Sequence, residues 1–122
     1  MTFSRDPQPV PRLVTENRCI RTDIPTPGTR EILDRLDVVE SRSMHGQLPL
    51  VWDRAEDFSV FDAGGNRFID FTSTIFVANV GHSNPRVVTA IRDALDRPLQ
   101  SCYAYGCELR ARYLESLVAF AG

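Results

Sequence analysis

"FDAGGNRFIDFTSTIFVANVGHSNPRVV", residues 61–88, decides the fold of this chain. Two β-prone runs, FSVFD (58–62) and RFIDF (67–71), flank Ala63-Gly64-Gly65-Asn66. Glycine and asparagine accept positive φ, so the spacing predicts an antiparallel hairpin with a four-residue connection. Asp62, beside the glycines, is expected to cap that turn. TSTIFVAN (72–79) mixes hydroxyl and apolar side chains without a clean period. Gly81-His82-Ser83-Asn84-Pro85 then marks a boundary: Gly81 gives freedom, Ser83 or Asn84 can cap, and Pro85 suits the first helical position. Val87, Val88, Ile91, Ala94 and Leu95 recur at helical spacing until Pro98 stops the run.

Upstream, TREILDRLDVVESR (29–42) predicts a helix capped by Thr29, with Ile32, Leu33, Leu36 and Val39 on one stripe. Arg30–Asp34 and Glu31–Arg35 fall at i,i+4 and read as surface pairs. LPLVW (48–52) reads as a short strand with Pro49 tolerated at its edge. A last helix, about 107–120, places Leu109, Tyr113, Leu117 and Phe120 near one side, with Glu108 and Arg112 spaced to pair. Pro7, Pro9, Pro11, Pro25 and Pro27 make residues 1–28 an extended arm, which must lie on the rest of the chain or on another subunit. The expected organisation is an arm (1–28), a small N-terminal domain portion (29–105) and a connecting helix (106–122), after which a larger domain is expected to begin.

The chain has 122 residues, 43% hydrophobic and 25% charged, enough for a modest core. A net charge of −2 argues against nucleic-acid binding, which needs a concentrated positive field. The start carries an early aspartate and no apolar run, so it is not a signal peptide, and no stretch reads as a membrane span. Cys19, Cys102 and Cys107 match neither a disulfide framework nor a zinc spacing, and read as reduced thiols of a cytoplasmic protein. All 14 basic residues are arginine.

His82 has no second histidine or cysteine close in sequence, so it is expected to fix its turn by hydrogen bonding, with a site-lining role as the alternative. His45 sits in a loop without further support. Arg42, Arg67 and Arg86 have the chemistry to hold a carboxylate, but each stands isolated. Asp70 is placed to orient a neighbour or cap the following loop. No Ser-His-Asp order, H-x-x-x-H pair or phosphate loop exists. The residues describe a scaffold without a self-sufficient catalytic, metal or cofactor site.

Residues 61–71, then 75–88 and Ala90-Ile91, resemble the N-terminal region of class III pyridoxal-phosphate aminotransferases. DIPTPGTREIL (23–33) and QSCYAYGCELRARYLESLVAFAG (100–122) look most like the 4-aminobutyrate aminotransferase branch. The resemblance implies an α+β fold, an incomplete N-terminal segment of a fold type I transferase, with a helix, a short antiparallel sheet and helices leading toward a large α/β domain. It implies structural turns at Gly65, Asn66, Gly81, His82 and Pro85, and a substrate channel approached by Ile75, Phe76, Tyr103 and Ala104. Ser73-Thr74 depart from a pattern rich in glycine, and Ala104 replaces a polar residue of several relatives.

The family's phosphate-gripping turn, pyridine-facing aspartate and Schiff-base lysine all fall beyond residue 122. Pyridoxal 5'-phosphate is therefore expected in the complete enzyme and not on this segment alone, which is expected to be inactive. The implied activity passes an amino group from an amine or ω-amino acid, such as 4-aminobutyrate, to a 2-oxo acid, in a homodimer or with a complementary chain. The alternatives are a non-catalytic interaction or structural role, or another pyridoxal chemistry in the full chain: epimerisation, decarboxylation or amino-mutation.

Overall fold

Five short strands form one antiparallel sheet in the computed structural model, which describes residues 3–122. They are β1 (Leu13–Val14), β2 (Cys19–Ile20), β3 (Trp52–Glu56), β4 (Ser59–Asp62) and β5 (Arg67–Ile69), in the order β1-β2-β5-β4-β3. The chain divides into two units, one reaching Asn84 and the other Pro85–Gly122. The first contains the sheet and helix α1 (Thr29–Val39), together with a single helical turn, α2 (Ser73–Phe76). The second contains α3 (Pro85–Leu95) and α4 (Glu108–Ala121). The α+β class read from the sequence is what the structure shows.

The predicted hairpin is present. β4 and β5 pair Ser59 with Ile69, Val60 with Phe68 and Phe61 with Arg67, and residues 63–66 join them. The short strand expected at 48–52 is displaced: β3 starts at Trp52 and runs to Glu56. Its ladder with β4 extends from Trp52–Asp62 to Glu56–Ser59, so β4 offers no partner to residues 48–51, and Pro49 lacks a ladder donor in any case. This second hairpin carries its positive φ at Asp57 (50°), and WDRAE gives no alternating apolar signal because four of its five residues are exposed.

Residues 1–28 lie on the rest of this chain where they are described. β2 pairs with β5 at Cys19–Arg67, and the main chains of Gln8 and Ile24 exchange hydrogen bonds of 2.9 and 3.1 Å. Arg5 reaches both Asp34 (2.8 Å) and Asp37 (2.7 Å) of α1, while Arg30 of α1 meets Asp6 at 2.6 Å. The charges expected to pair along the helix as Arg30–Asp34 are thus engaged by the arm instead. The Asp37 carboxyl is held below its ordinary range chiefly by its hydrogen bond from Arg5.

α1 ends at Val39 instead of residue 42, because Glu40 turns to extended backbone and Arg42–Met44 form a separate 3-10 turn. Its N-cap is Gly28 at φ 91°, not Thr29, which is the buried first helical residue. α4 also starts one residue later than read, with Cys107 as its N-cap.

Cys19, Ile20, Pro25 and Val60 are the buried apolar residues of the described chain, accompanied by the polar Thr26, Thr29, Ser59, Asp62 and Asn66. No residue of Pro85–Gly122 is buried. So few apolar contacts leave much of the first unit's order to polar ties. Among the described residues no helix is long and apolar enough to cross a membrane.

Candidate functional site

Asn66 is fully buried at the hairpin turn and uses every hydrogen-bonding position of its amide. Its Oδ1 accepts from the backbone N–H groups of Arg21 (2.7 Å) and Thr22 (3.0 Å). Its Nδ2 donates to Thr22 Oγ1 and to Asp62 Oδ2, both at 2.7 Å. Asp62 Oδ1 in turn accepts from the Asn66 N–H at 2.9 Å, the capping role expected of it. Gly65 takes φ 75°, which lets the chain return to Asn66 without steric cost. This turn therefore stitches the arm to the sheet.

The second polar cluster joins residues twelve apart. His82 Nε2 lies 2.8 Å from Asp70 Oδ2, and only 2% of the Asp70 side chain and 13% of the His82 side chain are exposed. The His82 main chain exchanges hydrogen bonds with Asp57 (2.7 and 2.9 Å), and its ring meets Trp52 edge-on at 5.7 Å between centroids. Gly81 sits at φ 89°, a conformation that favours glycine, and a Cβ there would stand 2.7 Å from Asp57 Oδ1 and force that carboxylate to move.

Asp70 also organises the adjoining turn. Its Oδ1 accepts from the Thr72 N–H (2.8 Å) and Thr72 hydroxyl (2.7 Å), and its Oδ2 from the Thr74 N–H (3.2 Å). Burial pushes this carboxyl up, but the bonds from His82, Thr72 and Thr74 together outweigh it and hold it down to about 2. Ser73, Thr74, Ile75 and Phe76 have φ of 47°, 54°, 53° and 71°. Four consecutive non-glycine residues make α2 a left-handed turn. That conformation costs L-residues about 1–2 kcal/mol each, and hydrogen bonds to a charged group return about 1.5–3 kcal/mol each. Asp70 offsets part of that cost, through the Thr74 N–H inside α2 and the Thr72 groups just before it.

Ile75 and Phe76, expected at a substrate channel, ride this turn, each residue 76% exposed. Tyr103 and Ala104 lie in the second unit, on the loop before α4, where Tyr103 is 92% exposed at φ 40°. Pro85 is the first residue of α3. His82, expected to fix its turn, faces Asp70 with its Nε2. Of the nearby hydroxyls, Ser83 Oγ donates to the Ala55 carbonyl (2.8 Å) and Thr72 to Asp70, while Ser73 lines the same cleft as His82. The left-handed sense of α2 is not legible in the sequence; the missing helical period at 72–79 is its only trace.

A model of the aminotransferase class-III family matches residues 41–122, which include both α2 and the Asp70–His82 pair. This chain is a class-III aminotransferase family member. It is 36% identical over 90 residues to the 4-aminobutyrate aminotransferase of Mycobacterium leprae, covering 74% of this chain and 20% of that protein. It is 39% identical over 59 residues to the 5-aminovalerate aminotransferase of Pseudomonas aeruginosa, covering 48% and 14%. In structure it is similar to the acetylornithine aminotransferase of Elizabethkingia anophelis, with a TM-score of 0.64, 28% identity, and coverage of 75% of this chain and 24% of that one. The chain spans about a fifth of the length of the curated relatives it matches.

Class-III aminotransferases use pyridoxal 5'-phosphate, whose attachment requires a lysine amine. The donor set here does not fit that group: the 122 residues contain no lysine, and the buried Asn66, Asp62 and Asp70 side chains are engaged with Thr22, with each other and with His82. No catalytic step is assigned to this segment of the class-III fold.

Proposed function

We propose that these residues are the N-terminal part of a pyridoxal-phosphate-dependent aminotransferase that moves an amino group from an ω-amino acid, of the 4-aminobutyrate or 5-aminovalerate type, to a 2-oxo acid. Within it, Ile75 and Phe76 on α2, and Tyr103 and Ala104 before α4, line the approach of substrate. Gly65, Asn66, Gly81, His82 and Pro85 fix the turns that present them. The amine that carries the cofactor comes from residues other than these 122, in a homodimer or from a complementary chain, and the segment by itself does not transaminate. The single observation that carries this reading is the family match over residues 41–122.

The test is kinetic. In the assembled enzyme, Ile75→Trp is expected to lower kcat/KM for a bulky amine at least tenfold more than for a small one, with cofactor affinity unchanged. Equal losses for both amines remove Ile75 from the channel.

A further inference from the structure

Cys102 and Cys107 are both half-buried free thiols whose sulfur atoms stand 3.4 Å apart, Cys102 donating to Cys107. A disulfide needs the same two atoms at about 2.05 Å, so the two sulfurs must close by roughly 1.3 Å to bond. Two features hold them there. The loop between them is folded back by a Tyr105 N–H to Cys102 carbonyl hydrogen bond of 2.8 Å. Arg110, in the first turn of α4, donates to the Tyr103 carbonyl at 2.8 Å and pins that loop to the start of the helix.

The two sulfurs are not equivalent. Cys107 is the N-cap of the 14-residue α4. The Arg110 backbone N–H, the Cys102 thiol and the Leu109 backbone N–H, in that order, hold the Cys107 thiol below its ordinary range. The hydrogen bond to Cys107 pushes Cys102 up. Cys107, at the N-terminus of α4 and accepting from Cys102, is therefore placed to be the better nucleophile, and Cys102 keeps the proton it donates. A groove of about 560 Å³, lined by Pro98, Leu99, Cys102, Cys107 and Tyr113, opens onto both.

We propose that Cys102 and Cys107 form a peroxide-sensitive modification site, in which Cys107 is oxidised first and Cys102 closes an intrachain disulfide. The Cys107 thiolate attacks one oxygen of a hydroperoxide. The O–O bond breaks, two electrons pass from sulfur to oxygen, hydroxide leaves and a sulfenic acid remains. Cys102 sulfur then attacks Cys107 sulfur, the S–S bond forms, and the S–O bond breaks. The hydroxyl departs with the Cys102 proton as water. Two thiols and one hydrogen peroxide give one disulfide and two waters. A thiol reductant reverses the change. The bond ties the Tyr103–Gly106 loop to α4. This chemistry stands independently of the role proposed for Tyr103 and Ala104.

The experiment treats the reduced full chain with one equivalent of hydrogen peroxide, alkylates the remaining thiols, and analyses the tryptic peptide 93–110, which carries both cysteines. The expected result is a peptide two hydrogen masses lighter and unalkylated, with Cys19 alkylated. Cys102→Ser is expected to leave a sulfenic acid at residue 107 that dimedone traps. Cys107→Ser is expected to leave Cys102 as a free thiol. Both cysteines alkylated after peroxide, a bond between two chains, or dimedone trapped at Cys102 in place of Cys107 would each overturn the proposal.

Discussion

Asp70 and His82, twelve residues apart, meet at 2.8 Å beside a turn whose backbone runs left-handed. The pair couples two features of the first unit: His82 is tied to β3 through Trp52 and to the Asp57 turn, and Asp70 carries α2. A carboxylate so nearly inaccessible is retained because its four bonds satisfy it. Removing it leaves His82 without its partner and the Thr72 and Thr74 N–H groups without an acceptor. Asp70→Ala is expected to destabilise the chain by about 2–4 kcal/mol, and Asp70→Asn by less, read from urea unfolding. A loss under about 0.5 kcal/mol for both shows that the cluster does not hold the turn.

The same carboxylate sets an acid limit. Its folded value, about 2, lies below the ordinary 3.8. The stability it contributes is therefore complete above about pH 4 and is lost as pH falls through about 2. The emission of Trp52, the only tryptophan, reports this because its ring packs on His82. A change in emission between pH 4 and pH 2, absent in Asp70→Asn, is the expected outcome; an identical titration in the variant assigns it to other carboxyls.

Left-handed backbone makes a further prediction that runs against the usual rule. Glycine normally costs stability through the unfolded chain, but at φ 54° it also relieves the strain of a β-branched residue. Thr74→Gly is expected to leave stability unchanged or to raise it by up to about 1 kcal/mol, whereas Thr74→Ala keeps the strain. Thermal or urea unfolding of the two variants checks this. A loss of more than about 1 kcal/mol in Thr74→Gly contradicts the left-handed turn.

The hairpin at 58–71 is legible in the sequence because Gly64-Gly65-Asn66 announces a turn chemically, and α3 and α4 because their apolar residues repeat. β3 escapes such reading because an exposed strand carries no buried face to alternate with. The i,i+4 charge pair of α1 gives way because an arm some thirty residues away supplies Arg5 and Asp6, and sequence spacing holds no record of contacts that distant. His82 reads as a turn-fixing residue from its setting alone. That its partner is Asp70, and that Asp70 also holds the left-handed turn, depends on folding that brings the end of β5 against the Gly81 turn. Cys102 and Cys107 read as reduced thiols without a disulfide spacing, although four residues containing a glycine suffice to close a loop between them.

If this segment only frames a site, it has no side chain with which to hold the coenzyme. The decisive measurement is to incubate the purified chain with pyridoxal 5'-phosphate, reduce with borohydride and map the products by mass spectrometry. No pyridoxyl group is expected on any side chain of the 122 residues. Stoichiometric retention of pyridoxal 5'-phosphate by the unreduced chain, or amino transfer by it alone, would contradict that expectation.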